Sequence, residues 1–294
     1  MHRQAPLLAL VGVTAIWGVT FVQVKDAVDI YPLFAFLAVR FAIASATLAP
    51  FGVRRLSSLD RRGLLAGVGL GSLLALGYGL QTAGLARTTV SSTGFITGLC
   101  VVLTPITALV LFRARIGRFA WIGVALATVG LGMLSGIDAG SAFGDALVLG
   151  GAAVWALQIV ILERVTSDYD PIALTFTEML AACVGFTAIA LALGDFSVPH
   201  GWTVWGALIV TGVFASAFAF LVQTWAQREL SATRTALVFA LEPVFAGVAG
   251  YLLAGDRLGA IGWAGCAVIL AGIVVSEPAA ATALRQRFSP ATPR

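Results

Sequence analysis

The chain has 294 residues, 59% hydrophobic and 11% charged, with a mean hydropathy of +0.97 and a formal net charge of +4. A soluble protein carries about 25% charge, and so few charged side chains cannot cover a water-soluble body of this size, so a soluble protein is excluded. One lysine, Lys25, rules out a GxxxxGK[ST] phosphate loop. His2 and His200 lie outside the apolar runs and rule out an HExxH zinc site, and Cys100, Cys183 and Cys266, 83 residues apart, offer neither a disulfide framework nor a metal cluster.

A hydrocarbon core of ~30 Å needs about 20 apolar residues per helix. Ten such runs follow one another at 6–24, 32–51, 63–86, 89–112, 118–136, 144–162, 171–193, 203–226, 232–254 and 258–276. The first follows Arg3 and has the look of a secretory signal. It is longer than a typical signal core and nine more runs follow, so it reads as a retained span. The connections are a few residues long and leave no room for a soluble domain. The polar tail, 277–294, reads as disordered. The expected fold is an all-α integral membrane protein with ten transmembrane helices.

Ten spans put both termini on one side. On that side lie fourteen basic residues, Arg54, Arg55, Arg61 and Arg62 among them, whereas the other side holds Lys25, Arg87 and Arg257. Acidic residues outside the spans divide six and six, so the asymmetry is a Lys/Arg signal and predicts cytoplasmic termini. The net positive charge is thereby accounted for by topology and membrane-surface contact; it is not a nucleic-acid patch.

The two halves repeat each other. "TAIWGVTFVQVK" in the first run returns as "AAVWALQIVILE" in the sixth, which aligns Trp17 with Trp155. "YGLQTAG" returns as "FLVQTWA", aligning Tyr78 and Gln81 with Phe220 and Gln223. Pro105 aligns with Pro243, and Gly117, Trp121 and Gly130 align with Gly259, Trp263 and Gly272. Residues 1–137 form the first repeat and 138–276 the second. With an odd number of spans in each, the second must lie inverted in the membrane, the arrangement of alternating-access transporters with a midplane site between the repeats. In the third run Gly63, Gly67, Gly71, Ala75 and Gly79 recur every four residues and lay a flat stripe on one helix face.

Trp17-Gly18, Pro32 with Arg40 eight positions on, "GFITGLCVVLTP", "ALEPVF" and "GDRLG" occur in an order and spacing that resembles the EamA branch of the drug/metabolite transporter superfamily. Within that branch the chain is similar to bacterial exporters of aromatic amino acids. The resemblance implies a ten-helix inner-membrane transporter; no cofactor and no covalent catalysis are expected. It also implies a central cavity lined by helices one, three and four of the first half and six, eight and nine of the second.

Polar and aromatic residues near mid-span are the site candidates, because hydrocarbon penalises them unless they face a cavity or a partner. Thr14, Trp17 and Phe21 share one face of the first helix. Trp155 and Gln158 are their counterparts in the sixth. Phe95 is placed to close an aromatic slot with Trp17 and Tyr78. Phe239 and Glu242 stand together in the ninth run, where the acid can bind a substrate ammonium, carry a proton or pair with a neighbour. Gln81 and Gln223, toward opposite membrane faces, are candidate gates, and Pro105 and Pro243 candidate hinges. Arg40 and Glu178 are read as peripheral, held by ion pairing or snorkelling. The predicted substrate is a small amphipathic metabolite, an aromatic or other neutral amino acid. The alternatives are a cationic drug within the same fold, an integral membrane enzyme, or a non-transporting subunit.

Overall fold

Short polar connections start the helices, and a computed structural model describes the result for residues 4–135, 141–249 and 259–276. The elements are α1 (Ala5–Val28), α2 (Leu33–Arg55), α3 (Arg61–Leu85), α4 (Val90–Gly98), α5 (Cys100–Phe112), α6 (Arg118–Ser135) and α7 (Ala142–Val165). They continue with α8 (Pro171–Ala192), α9 (Trp202–Ile209), a π-helical segment Val210–Phe218, α10 (Ala219–Ala226), α11 (Ala232–Phe239), α12 (Glu242–Ala249) and α13 (Ala260–Ser276). Among the described residues there is no strand.

Side-chain caps set several starts. The Asp60 carboxylate accepts the Gly63 N–H at 2.7 Å, Thr89 accepts from Ser92 at 3.0 Å, and Asp170 accepts from Ile172 and Ala173, both at 3.0 Å. Each satisfies donors that the first helical turn leaves without a partner. Pro32, extended at φ −54° and ψ 129°, stops α2 from running back into the preceding loop. Asp170 also takes the Arg55 guanidinium at 2.8 Å, tying the end of α2 to the start of α8.

Seven helical spans are long and apolar enough to cross a membrane among the described residues, and α6 and α13 are shorter apolar helices. Their outward side chains, Val22, Leu65, Val68, Val110, Val129, Val184 and Val274 among them, are exposed. Such a surface is stable against lipid and not against water.

The ninth expected span, 232–254, is divided. α11 and α12 are separated at Ala240 and Leu241, and residues 250–254 lie outside the described ones. Pro243 cannot donate to the Phe239 carbonyl and its ring crowds that turn, so the chain breaks just before it. The fourth span is divided as well, at Leu99, directly after Gly98. Pro105 lies six residues further on, inside the continuous helix α5, so the break precedes it by more than a turn. The eighth span carries the π-helical stretch Val210–Phe218 at its centre, which shifts the faces of α9 and α10 relative to a regular helix.

The glycine stripe of α3 lies on α8: a Cβ added to Gly67 would stand 2.8 Å from Thr177, and one on Gly71 would strike the Glu178 carbonyl. α6 and α13 meet through two reciprocal glycine pairs. A Cβ on Gly123 would lie 2.6 Å from the Gly272 carbonyl, and one on Gly130 would lie 2.7 Å from that of Gly265. The numbering rises in one helix as it falls in the other, so the two cross antiparallel with backbones in contact. Phe36, Phe41, Phe186 and Phe220 are among the largest side chains with no appreciable exposure, and they centre the core where α2, α3, α8 and α10 meet.

Candidate substrate cavity

Both helix breaks face the same interior space. A cavity with about 850 Å³ free of protein atoms, part of it open to solvent, lies between α1, α2, α3, α7, α10 and the two divided spans. α1 contributes Trp17, Thr20, Phe21 and Val24; α3 contributes Tyr78, Gln81, Thr82 and Leu85; α7 contributes Trp155, Gln158 and Ile159. The first break presents Thr97, Gly98, Cys100 and Val101, and the second presents Phe239, Ala240 and Glu242. Divided helices expose backbone to a cavity without exposing it to lipid, which is where a membrane protein tolerates such breaks.

Five aromatic rings form a continuous wall. Phe239 meets Trp17 edge-on at 4.9 Å between centroids, Trp17 meets Phe220 at 5.6 Å, and Phe220 stacks on Trp155 at 6.2 Å. Tyr78 closes the group, edge-on to Trp155 at 4.7 Å. These separations and tilts are those of favourable ring pairs. The Trp17 indole N–H donates to the Ala215 carbonyl at 2.8 Å, which fixes the ring from the π-helical segment.

Two charged side chains border this wall. Arg40 is 3% exposed and donates from Nε to Ser216 Oγ and from Nη2 to Tyr78 OH, both at 2.9 Å. Its guanidinium carbon lies 4.4 Å from the Tyr78 ring centroid. The close approach that allows this comes from Gly212, where a Cβ would stand 3.0 Å from the Arg40 carbonyl and 2.8 Å from Ile43. Glu242, the first residue of α12, is half-buried and lines the same cavity. Among the described residues neither charge has an opposite charge within 4.0 Å; the ion pair present there is Arg55–Asp170.

A chain of amides runs away from the cavity. Gln223 donates to Gln158 at 3.1 Å and to Gln227 at 3.0 Å; Gln158 donates to Glu178 at 2.9 Å, and Gln227 donates to the Ile159 carbonyl at 2.9 Å. Gln81, the counterpart of Gln223, instead donates to Thr97 at 3.0 Å within its own half.

Trp17, Tyr78, Trp155, Gln158, Phe239, Glu242, Gln81 and Gln223 thus share one cavity. Phe95 does not line it. One turn before the break at Leu99, it packs into the cluster of Leu10, Val101 and Leu131, 4.0 Å from a Cβ added to Gly132. Thr97 and Gly98 hold the cavity side of that helix, and Phe220 takes the place in the aromatic slot. Pro105 is buried and, like Pro243, lies outside the lining. Thr14 bonds back to the Leu10 carbonyl at 2.6 Å and is fully buried. Arg40 and Glu178 are neither ion-paired nor snorkelling: Arg40 is a wall residue and Glu178 ends the amide chain. Arg40 is the cavity-lining residue that the sequence places elsewhere. An intramembrane arginine was the available signal, but its hydroxyl partner Ser216 sits in a π-helical register that spacing does not disclose.

These features define a multi-pass membrane protein built around a polar and aromatic interior cavity. The EamA-like transporter family matches residues 4–136 and 142–276, and the chain belongs to that family, within the drug/metabolite transporter superfamily. It is a membrane transporter. A transporter of Archaeoglobus fulgidus is 32% identical over 269 residues, covering 91% of this chain and 84% of the relative. The inner membrane transporter YedA of Escherichia coli is 28% identical over 277 residues, covering 91% and 89%. The threonine/homoserine exporter RhtA of Salmonella typhimurium is 28% identical over 184 residues, covering 60% and 61%. A solved crystal structure superposes with a TM-score of 0.78 at 18% identity, covering 98% of this chain and 99% of that one, a likeness of fold.

Proposed function

We propose that the chain is an inner-membrane exporter of small amphipathic metabolites, aromatic and other neutral amino acids foremost, working by alternating access between two inverted five-helix repeats. The observation that carries this reading is the cavity itself: rings from both halves form one wall, and Glu242 lines the same space without an ion-pair partner among the described residues. An aromatic amino acid offers a ring to the one and an ammonium to the other. The repeat reading draws support from the two segments matched by the family and from the antiparallel glycine crossing of α6 and α13. Breaks in the aligned fourth and ninth spans support it further. In the direction set by the Lys/Arg asymmetry both termini are cytoplasmic. The likeness to RhtA, a threonine/homoserine exporter, supports amino-acid export as the chemistry of this chain.

Export of cationic drugs is the second reading, favoured by the same carboxyl set among rings that can hold a cation on their faces. Counterflow of labelled tryptophan and phenylalanine in proteoliposomes separates the two. The expected result is saturable exchange, competed by aromatic amino acids and lost in Trp17→Ala and Glu242→Gln. Exchange of cationic drugs with none of either amino acid overturns the first reading in favour of the second.

A further inference from the structure

We infer that Arg40 is the carboxylate anchor of the cavity, so that the transported molecule carries a carboxylate as well as an apolar body. The inference rests on the transport reading above and deepens it. A guanidinium in the middle of an apolar helix is costly wherever it lacks a water shell or a counter-charge. Arg40 is 3% exposed, and its partners among the described residues are two neutral hydroxyls, Ser216 and Tyr78. These orient the group without cancelling its charge. Glu178, the other buried acid of the membrane interior, is bonded to Gln158 instead.

The two hydroxyl bonds and the Tyr78 ring beneath it fix the guanidinium on three sides. Of its five N–H donors, the two bonds occupy one on Nε and one on Nη2. The donors left over, two on Nη1 and one on Nη2, belong to a side chain that lines the cavity, and a guanidinium edge of that kind can take a carboxylate through two parallel hydrogen bonds. Glu242 supplies the opposite charge on the same cavity. A zwitterion satisfies both groups, with its carboxylate on Arg40, its ammonium on Glu242 and its side chain against Trp17, Phe220 and Phe239. An amine without a carboxylate leaves Arg40 uncompensated and adds a like charge beside it. The pair thus selects amino acids over cationic amphiphiles.

Three probes that share one ring system test this: tryptophan, tryptamine, which lacks the carboxylate, and indole-3-propionate, which lacks the ammonium. Competition against labelled tryptophan counterflow is measured for wild type, Arg40→Lys and Arg40→Gln, with thermal unfolding in detergent as the check on folding. Wild type is expected to prefer tryptophan over tryptamine. In Arg40→Gln the tryptophan-to-tryptamine preference falls by about ten-fold or more, the worth of a hydrogen-bonded charge, and Arg40→Lys retains part of it. A purely structural arginine predicts that both probes weaken by the same factor; an unchanged ratio in Arg40→Gln, or in Arg40→Lys should Arg40→Gln not fold, overturns the inference and leaves the transport reading standing. A wild type that recognises none of the three overturns both.

Discussion

At the scale of single residues, the interior is organised by polar groups that share partners. Glu178 is fully buried; one of its carboxyl oxygens accepts from Gln158, and the other has no partner among the described residues. Gln158 in turn accepts from Gln223. Removing the Gln158 amide therefore leaves the Glu178 carboxyl without its donor, while Gln223 keeps its bond to Gln227. Leaving a buried acceptor without its donor costs about 1–3 kcal/mol, so Gln158→Leu is expected to unfold earlier by an amount in that range. Interhelical hydrogen bonds in membranes couple more weakly, at about 0.6 kcal/mol and up to about 1.7. A cycle of Gln158→Leu, Glu178→Leu and the double substitution, read by unfolding in detergent, is expected to give a coupling of that size. Strict additivity would mean that the contact stabilises nothing.

At the scale of elements, glycines decide how closely the helices around the cavity approach. Gly18 stands one residue after Trp17, and a Cβ there would lie 2.6 Å from the Glu242 carbonyl and 2.8 Å from the Ala246 nitrogen. Both contacts are backbone, so no side chain can swing away. Gly18→Ala must push α1 from α12 and with it the start of the helix that carries Glu242. Overpacking of this kind costs about 1–3 kcal/mol, and counterflow is expected to fall with it. Gly12 lies in the same helix with nothing within 4 Å of an added Cβ. Gly12→Ala should leave transport intact and gain up to about 1 kcal/mol of helix propensity. Equal loss in both variants, measured by unfolding and counterflow together, would rule out the α1–α12 contact as the cause.

The same contacts explain what could be read in advance. Apolar runs, caps and the paired Trp17 and Trp155 are one-dimensional patterns, and most of the cavity follows from them. Arg40 was misplaced because its neighbour Ser216 is brought round by the π-helical stretch, and Gly212 lets α2 come close enough to use it. Phe95 packs with Leu10, Val101 and Leu131, while Thr97 and Gly98 of the same helix line the cavity, a choice of face set by the neighbouring helices. Register shifts and breaks depend on tertiary contacts, and hydrophobic spacing does not record them.

At the scale of the whole molecule, the issue is whether the divided spans cross the membrane or turn back. α11 and α12 have eight residues each, about 12 Å apiece at 1.5 Å per residue, too short to cross ~30 Å singly. Joined through Ala240 and Leu241 they reach from Ala232 to Ala249, about 27 Å on the same rise, enough for one crossing. α4 and α5 join in the same way at Leu99. Two crossings place Glu229 and the segment around Gly259 on opposite sides. They also put Ser57 and Ser167 on one side and Ser197 on the other, the cytoplasmic and outer sides in the orientation proposed from the Lys/Arg asymmetry. Ser57, Ser167, Ser197, Glu229 and Gly259 are all exposed. Each can be made the lone cysteine once Cys100, Cys183 and Cys266 are replaced. In intact cells a membrane-impermeant thiol reagent is expected to label Ser197→Cys and Gly259→Cys, and to reach Ser57→Cys, Ser167→Cys and Glu229→Cys only after permeabilisation. If α4 and α5 turned back, Ser57→Cys and Ser167→Cys would label from opposite sides. If α11 and α12 turned back, Glu229→Cys and Gly259→Cys would label from the same one. Either pattern removes one crossing from one half and with it the inverted symmetry on which the proposed alternating access depends.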